Sequence, residues 1–233
     1  MSQNLQTFPA TPAGGADLGA TQRNRVLRNT YWLLALSMVP TVLGAWIGVT
    51  TGLAAAMSPG IGLVVFLGGA FGFMYAIEKT KNSSAGVPVL LGFTFFMGLM
   101  LSRLVGQVLG LANGAGLVMT AFAGTGVIFL GMATLSSVIK RDLSAMGKWL
   151  FIGAVMILVA GLANFFLQSS ALMITISVLA IGIFSAFILY DLKRVQDGLE
   201  TNYISATLGV YLSIYNVFQS LLAVFGLTGG RDD

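Results

Sequence analysis

The stretch YISATLGVYLSIYNVFQSLLAVFG, residues 203–226, is as long as a bilayer-crossing helix, yet Tyr211, Ser213, Tyr215, Asn216, Gln219 and Ser220 fall on more than one of its faces. A membrane span needs about 20 mostly apolar residues. Polar side chains turned to lipid on all sides would find no hydrogen-bond partners. A helix polar on several faces therefore belongs inside a bundle. We read residues 203–226 as a central helix, with Tyr211, Tyr215, Asn216 and Gln219 as its polar lining.

Around this segment the chain has the composition of a polytopic membrane protein. It is 56% hydrophobic and only 9% charged, against about 25% charged in ordinary soluble domains. Apolar runs recur at about residues 30–50, 60–78, 87–110, 116–139, 147–168, 170–192 and 203–226, so the predicted fold is all-α, with seven transmembrane helices and the seventh central. No alternating pattern of about ten residues suggests a β-barrel. Residues 1–29 read as a disordered cytoplasmic tail, residues 30–226 as the transmembrane domain and residues 227–233 as a short outer tail.

Orientation follows from the cations. Arg23, Arg25, Arg28, Lys79, Lys81, Lys140, Arg141, Lys148, Lys193 and Arg194 all fall on one side, ten of the twelve basic residues. Positive loops stay cytoplasmic. The expected N-terminus is thus cytoplasmic and the C-terminus outside. Because the basic residues cluster at membrane edges, the net charge of +4 needs no nucleic acid to explain it. GAWIG from Gly44, GGAFG from Gly68 and GQVLG from Gly106 have the small-xxx-small spacing that lets helices approach closely.

The chain has no Cys and no His, which excludes Ser-His triads, thiol nucleophiles, haem ligation by His and Cys/His metal sites. A hard cation on oxygen ligands stays open. Tyr190 and Asp191 form the YD pair of an intramembrane aspartyl protease, but the next span has no acid to complete a two-carboxylate site. That span also has no Lys for a retinal Schiff base. The chain is not expected to be an enzyme or to need a cofactor.

Three charged side chains are read as entering the spans, where each costs about 2.5–3.5 kcal/mol at mid-membrane, so each is a functional candidate. Arg103, late in the third span, either snorkels to the outer headgroups or lines an outer mouth. Glu78 ends the second span beside Lys79. Asp191 closes the sixth, in SAFILYDLKRVQDG. With the hairpin between the last two spans centred near residue 202, Asp191 and Ser213 are expected at one depth, eleven residues from the turn on either side. A carboxylate removed from water holds its proton more readily unless a cation such as Lys81, Lys193 or Arg194 offsets the loss. Competition between pairing and protonation makes a workable switch.

ILYDLKRVQDG, residues 188–198, and LGVYLSIYNVFQSLLAVFG, residues 208–226, resemble the Bax inhibitor-1 family, particularly its bacterial members, and GFTFFMGLMLS and IKRDLSAMGKWL match more weakly. The resemblance covers nearly the whole chain after residue 20. It implies a bundle wrapped around the seventh helix in the bacterial cytoplasmic membrane. It also implies a pH-sensitive Ca²⁺ leak, in which two aspartates share a proton and latch to a basic residue of span two, H⁺ and Ca²⁺ being the ions concerned. Asp191 matches the first aspartate, and the resemblance implies it as the Ca²⁺ ligand. Ser213 stands where the second would be, Lys81 is the nearest basic partner with Lys79 next, and Glu78 is a candidate for the missing charge. Without a second carboxylate no shared-proton pair forms there. A bacterial branch with this pattern resembles modulators of a membrane-embedded ATP-dependent protease that removes faulty membrane proteins. The resemblance therefore implies a quality-control modulator, with a pH-gated calcium leak as the alternative.

Overall fold

The computed structural model describes residues 14–229. They form α1 (Gly14–Thr51), a short α2 (Leu53–Ala56), α3 (Pro59–Thr80), α4 (Gly86–Leu109), α5 (Gly114–Val138), α6 (Met146–Leu167), α7 (Ser170–Gln196) and α8 (Tyr203–Gly229). All but α2 are long and apolar enough to cross a membrane, giving the seven expected spans. The α3–α4, α5–α6 and α7–α8 connections share the start of α1 at one end of the bundle, the basic end; the remaining connections lie at the opposite end.

Two sequence boundaries move. Of the tail assigned to residues 1–29, residues 1–13 lie outside the described residues, while residues 14–29 are helical and continuous with the first span. The cause is packing on the last hairpin. Val26 is buried against Val195 and Ala206, and Thr30 is fully buried one turn further on. Of the stretch 227–233, residues 227–229 complete α8 and the rest lie outside the described residues.

α8 runs through the middle, packed on α7, α5, α1 and α4 and touching α3 at a few positions, while α6 packs on the far side of α7. The main core joins Ile77 of α3, Leu90 and Phe93 of α4, Ile188 and Leu192 of α7, and Val210, Tyr211 and Val217 of α8. The outer faces of the other helices carry Trp32, Val64, Phe71, Phe122, Val127 and Phe151, all exposed. Apolar side chains on both the inside and the outside are what a lipid solvent requires.

The tightest helix pair is α1 with α4. A Cβ on Gly44 would run into the Phe95 carbonyl, one on Gly48 into the Ser102 side chain, and one on Gly98 into the Thr41 carbonyl. GAWIG is thus a contact stripe. In GGAFG the spaced pair Gly68 and Gly72 has no neighbour within 4 Å, and it is Gly69 between them that lies against the Phe96 ring of α4. Gly106, which opens GQVLG, only grazes Val49 at 4.0 Å. Spacing alone cannot say which face of a helix meets a partner.

The α7–α8 turn is built by local chemistry. Gly198 takes φ 76, its N–H donates to the Val195 carbonyl at 3.1 Å, and the Leu199 N–H donates to Arg194 at 2.8 Å, closing α7. Asn202 then opens α8: its Oδ1 accepts from the Ile204 and Ser205 N–H groups at 2.9 and 3.1 Å. Its Nδ2 donates to the Lys81 carbonyl at 3.2 Å and to Asn82 Oδ1 at 2.9 Å, tying α8 to the α3–α4 connection.

Candidate functional site

Asp191 sits five residues before the end of α7, about 8 Å along the helix from its last residue. It is half-buried. Its carboxylate faces the backbone of α8 at Gly209, where an added Cβ would stand 2.9 Å from Oδ2 and 3.2 Å from Cγ. This corrects the expectation that Asp191 and Ser213 share one depth. With α7 ending at Gln196 and α8 starting at Tyr203, the hairpin centres near residue 200 instead of 202. Ser213 therefore lies one helical turn further from the basic end. It is buried, and its hydroxyl donates to the Gly209 carbonyl at 3.0 Å rather than to the carboxylate.

The basic residues expected to pair with Asp191 are engaged elsewhere. Lys81 Nζ lies 2.6 Å from Glu78 Oε1 one turn back on the same helix. Lys193 pairs with Asp197 at 2.5 Å. Arg194 lies 3.8 Å from Glu200 and 5.7 Å from the centre of the Tyr190 ring. Glu78, offered as a replacement for the missing second acid, is thus the partner of Lys81 at the exposed basic end. Asp191 makes no hydrogen bond or ion pair among the described residues. Among the described residues every fully sealed polar side-chain atom has a partner, so the Asp191 oxygens retain access to open space.

As a Ca²⁺ ligand Asp191 would act as a lone carboxylate. No group of three or more acidic or imidazole or thiol side chains comes together among the described residues. Ca²⁺ takes six to eight oxygens, so such a site would depend on backbone and hydroxyl oxygens for the rest.

The polar groups of α8 divide into two sets. Tyr211 is buried, with its hydroxyl 2.9 Å from Thr41 Oγ1 of α1 and donating to the Thr94 carbonyl of α4 at 3.4 Å. The buried Tyr215 hydroxyl donates to the Met97 carbonyl at 3.4 Å. These bonds fasten α8 to α1 and α4. Asn216 is half-buried and returns its amide to the Leu212 carbonyl of its own helix at 2.8 Å. Gln219, with one face of Tyr215, borders a crevice towards the opposite end. Arg103 reaches the same crevice, its Nη1 donating to the Met57 carbonyl at 3.5 Å.

Sequence reasoning passed over two residues of this region. Gly209 is the position that admits the carboxylate, and Asn202 is the clasp between two loops of the basic end. The Asn before YISATLG carries a helix-start signal, whereas nothing in a single sequence marks which glycine of α8 faces α7.

Residues 23–230 match the family described as inhibitor of apoptosis-promoting Bax1. An uncharacterized protein of Neisseria meningitidis serogroup A is 38% identical over 213 residues, covering 90% of this chain and 94% of its own. An uncharacterized membrane protein of Vibrio cholerae is 36% identical over 211 residues, covering 91% and 93%. The modulator of FtsH protease YccA of Escherichia coli K12 is 36% identical over 203 residues, covering 87% and 90%. With its seven apolar helices and a match that runs from the start of the first span to the end of the last, the chain is a membrane protein of the Bax inhibitor-1 family.

Proposed function

We propose that this protein modulates a membrane-embedded ATP-dependent protease of the FtsH kind. In this reading it lies in the bacterial cytoplasmic membrane with its basic end in the cytoplasm. The observation that carries the reading is the likeness to the Escherichia coli protease modulator, which extends over 90% of that protein and so includes the loops as well as the spans. Arg23, Arg25, Arg28, Lys140, Arg141 and Lys148 are exposed at the basic end and available to a partner. The cations nearer the core are already paired. The test is degradation of a membrane substrate by the purified protease in proteoliposomes, with and without this chain. Addition of the chain should slow turnover. A form with Arg23, Arg25 and Arg28 changed to Gln, which keeps Val26 and Thr30 and hence the packing of α1, should lose the effect while melting at the same temperature. Turnover that ignores the full chain overturns the proposal.

A second reading is a pH-sensitive cation leak, with Asp191 as the responsive group. It is favoured by the absence of any partner for this carboxylate at the α7–α8 contact. Arg194 and Glu200 are the charged groups that act on it through space. In liposomes, Ca²⁺ flux through Asp191→Asn should lose its dependence on pH. Flux and pH response equal to those of the parent remove Asp191 from this role.

A further inference from the structure

α3 packs on α4 and meets α8 at a few positions, and it makes no substantial contact with α6 or α7. The wall around α8 is therefore open on one side. Towards the opposite end this gap is a crevice of about 700 Å³ between α3 and α4 on one flank, the α6–α7 turn on the other, and α8 behind. That volume lies within the ordinary range for a small-ligand site, about 300–1,000 Å³.

The lining is graded along the bundle. Gln107, Gln168 and Ser169 form a polar rim near the helix ends, while Phe66, Met100 and Leu101 form an apolar floor. Between the two lies Arg103, six residues before the end of α4, about 9 Å along the helix. Its side chain crosses to α3, where Nη1 stands 3.8 Å from a Cβ placed on Gly62 and donates a long bond, 3.5 Å, to the Met57 carbonyl. No carboxylate lies within ion-pair distance of Arg103 among the described residues. A guanidinium has five donors in a planar fork suited to a phosphate. One long bond leaves most of that capacity unused, in a site half out of water.

We propose that this crevice binds an anionic phospholipid from the leaflet at the opposite end, with its phosphate on Arg103 and an acyl chain on the Phe66–Met100 floor. Charge complementarity selects the anion. The apolar floor and the lateral opening between α3 and α7 select a lipid over free phosphate, because they give a chain both a seat and a way in from the bilayer. Cationic pockets between transmembrane helices recognise lipid headgroups on the same physical grounds.

The test is native mass spectrometry of the full chain released from nanodiscs of equal parts phosphatidylglycerol and phosphatidylcholine. The parent should retain one more phosphatidylglycerol per protein than Arg103→Gln, which cancels out lipids held by the cations of the basic end. Arg103→Lys, which keeps the charge, should retain the lipid in part and melt like the parent. Addition of inorganic phosphate at about 10 mM, in excess of a free-anion site of roughly millimolar affinity, should not displace it. Equal phosphatidylglycerol counts for the parent and Arg103→Gln overturn the proposal, as does displacement by phosphate.

Discussion

The carboxylate of Asp191 rests against the main chain of Gly209, a contact between α7 and α8 that any side chain at position 209 would disturb. The relationship makes a glycine in the middle of a helix useful. Glycine there costs about 1 kcal/mol relative to alanine, and its missing side chain lets Asp191 Oδ2 approach the neighbouring backbone.

The stability effect of Gly209→Ala should accordingly depend on residue 191. In the parent, the methyl group displaces the carboxylate and offsets the gain in helix propensity, leaving the thermal transition nearly unchanged. In an Asp191→Ala background the same change should stabilise by about 1 kcal/mol. A double-mutant cycle by thermal unfolding in detergent measures the difference; a coupling energy near zero would show that the two residues do not press on each other.

Asn202 performs two tasks, capping α8 and holding the α3–α4 connection through Lys81 and Asn82. Asn202→Ala should cost about 1–2 kcal/mol, the worth of a good N-cap. Asn202→Asp keeps the accepting oxygen and removes the donor, so it should retain the cap and lose the clasp. Hydrogen exchange separates the two: Ala should speed exchange at Ile204 and Ser205, whereas Asp should leave those amides protected while the α3–α4 connection loosens.

The number of spans and the central place of the last helix were legible because each follows from the chemistry of burying polar groups in lipid. Register was less legible. Counting from residue 202 placed Ser213 beside Asp191, but the turn is closed by Gly198 and reopened by Asn202, which shifts the partner by one helical turn to Gly209. The start of α1 was also misread. Thr21, Gln22 and Arg23 are exposed and polar, and the helix is held by Val26, Leu27 and Thr30, packed on the last hairpin, where Thr207 lies 177 residues from Thr30 in sequence.

The α5–α6 connection offers a titration outside the spans. Ser144 donates to Asp142 Oδ1 from both its backbone N–H, at 2.8 Å, and its hydroxyl, at 2.6 Å. The hydroxyl bond first, then the backbone bond, hold the Asp142 carboxyl below its ordinary value of 3.8, with a smaller pull from Lys193. A folded-state value below the unfolded one means that the loop is favoured above pH 3.8 and loses that preference as the pH falls through the folded-state value. Ser144→Ala removes the larger cause, so the Asp142 titration, followed by carboxyl-carbon NMR, should move up towards 3.8. A titration unmoved by the substitution would mean that the hydroxyl does not hold the charge.

Finally, the α1–α4 contact separates glycines that touch from glycines that do not. At Gly98 a methyl group would enter the Thr41 carbonyl, backbone that cannot swing aside, and at Gly44 it would enter the Phe95 carbonyl. Gly98→Ala must force the two helices apart and loosen the nearby Thr41–Tyr211 bond that fixes α8. Overpacking of this kind costs about 1–3 kcal/mol, occasionally more. Gly72 lies on an open face of α3, so Gly72→Ala should be neutral or raise stability by about 1 kcal/mol. Comparing the unfolding temperatures of the two variants tests whether the close approach of α1 and α4 contributes to the bundle's stability, since the substitution is the same and only the neighbours differ.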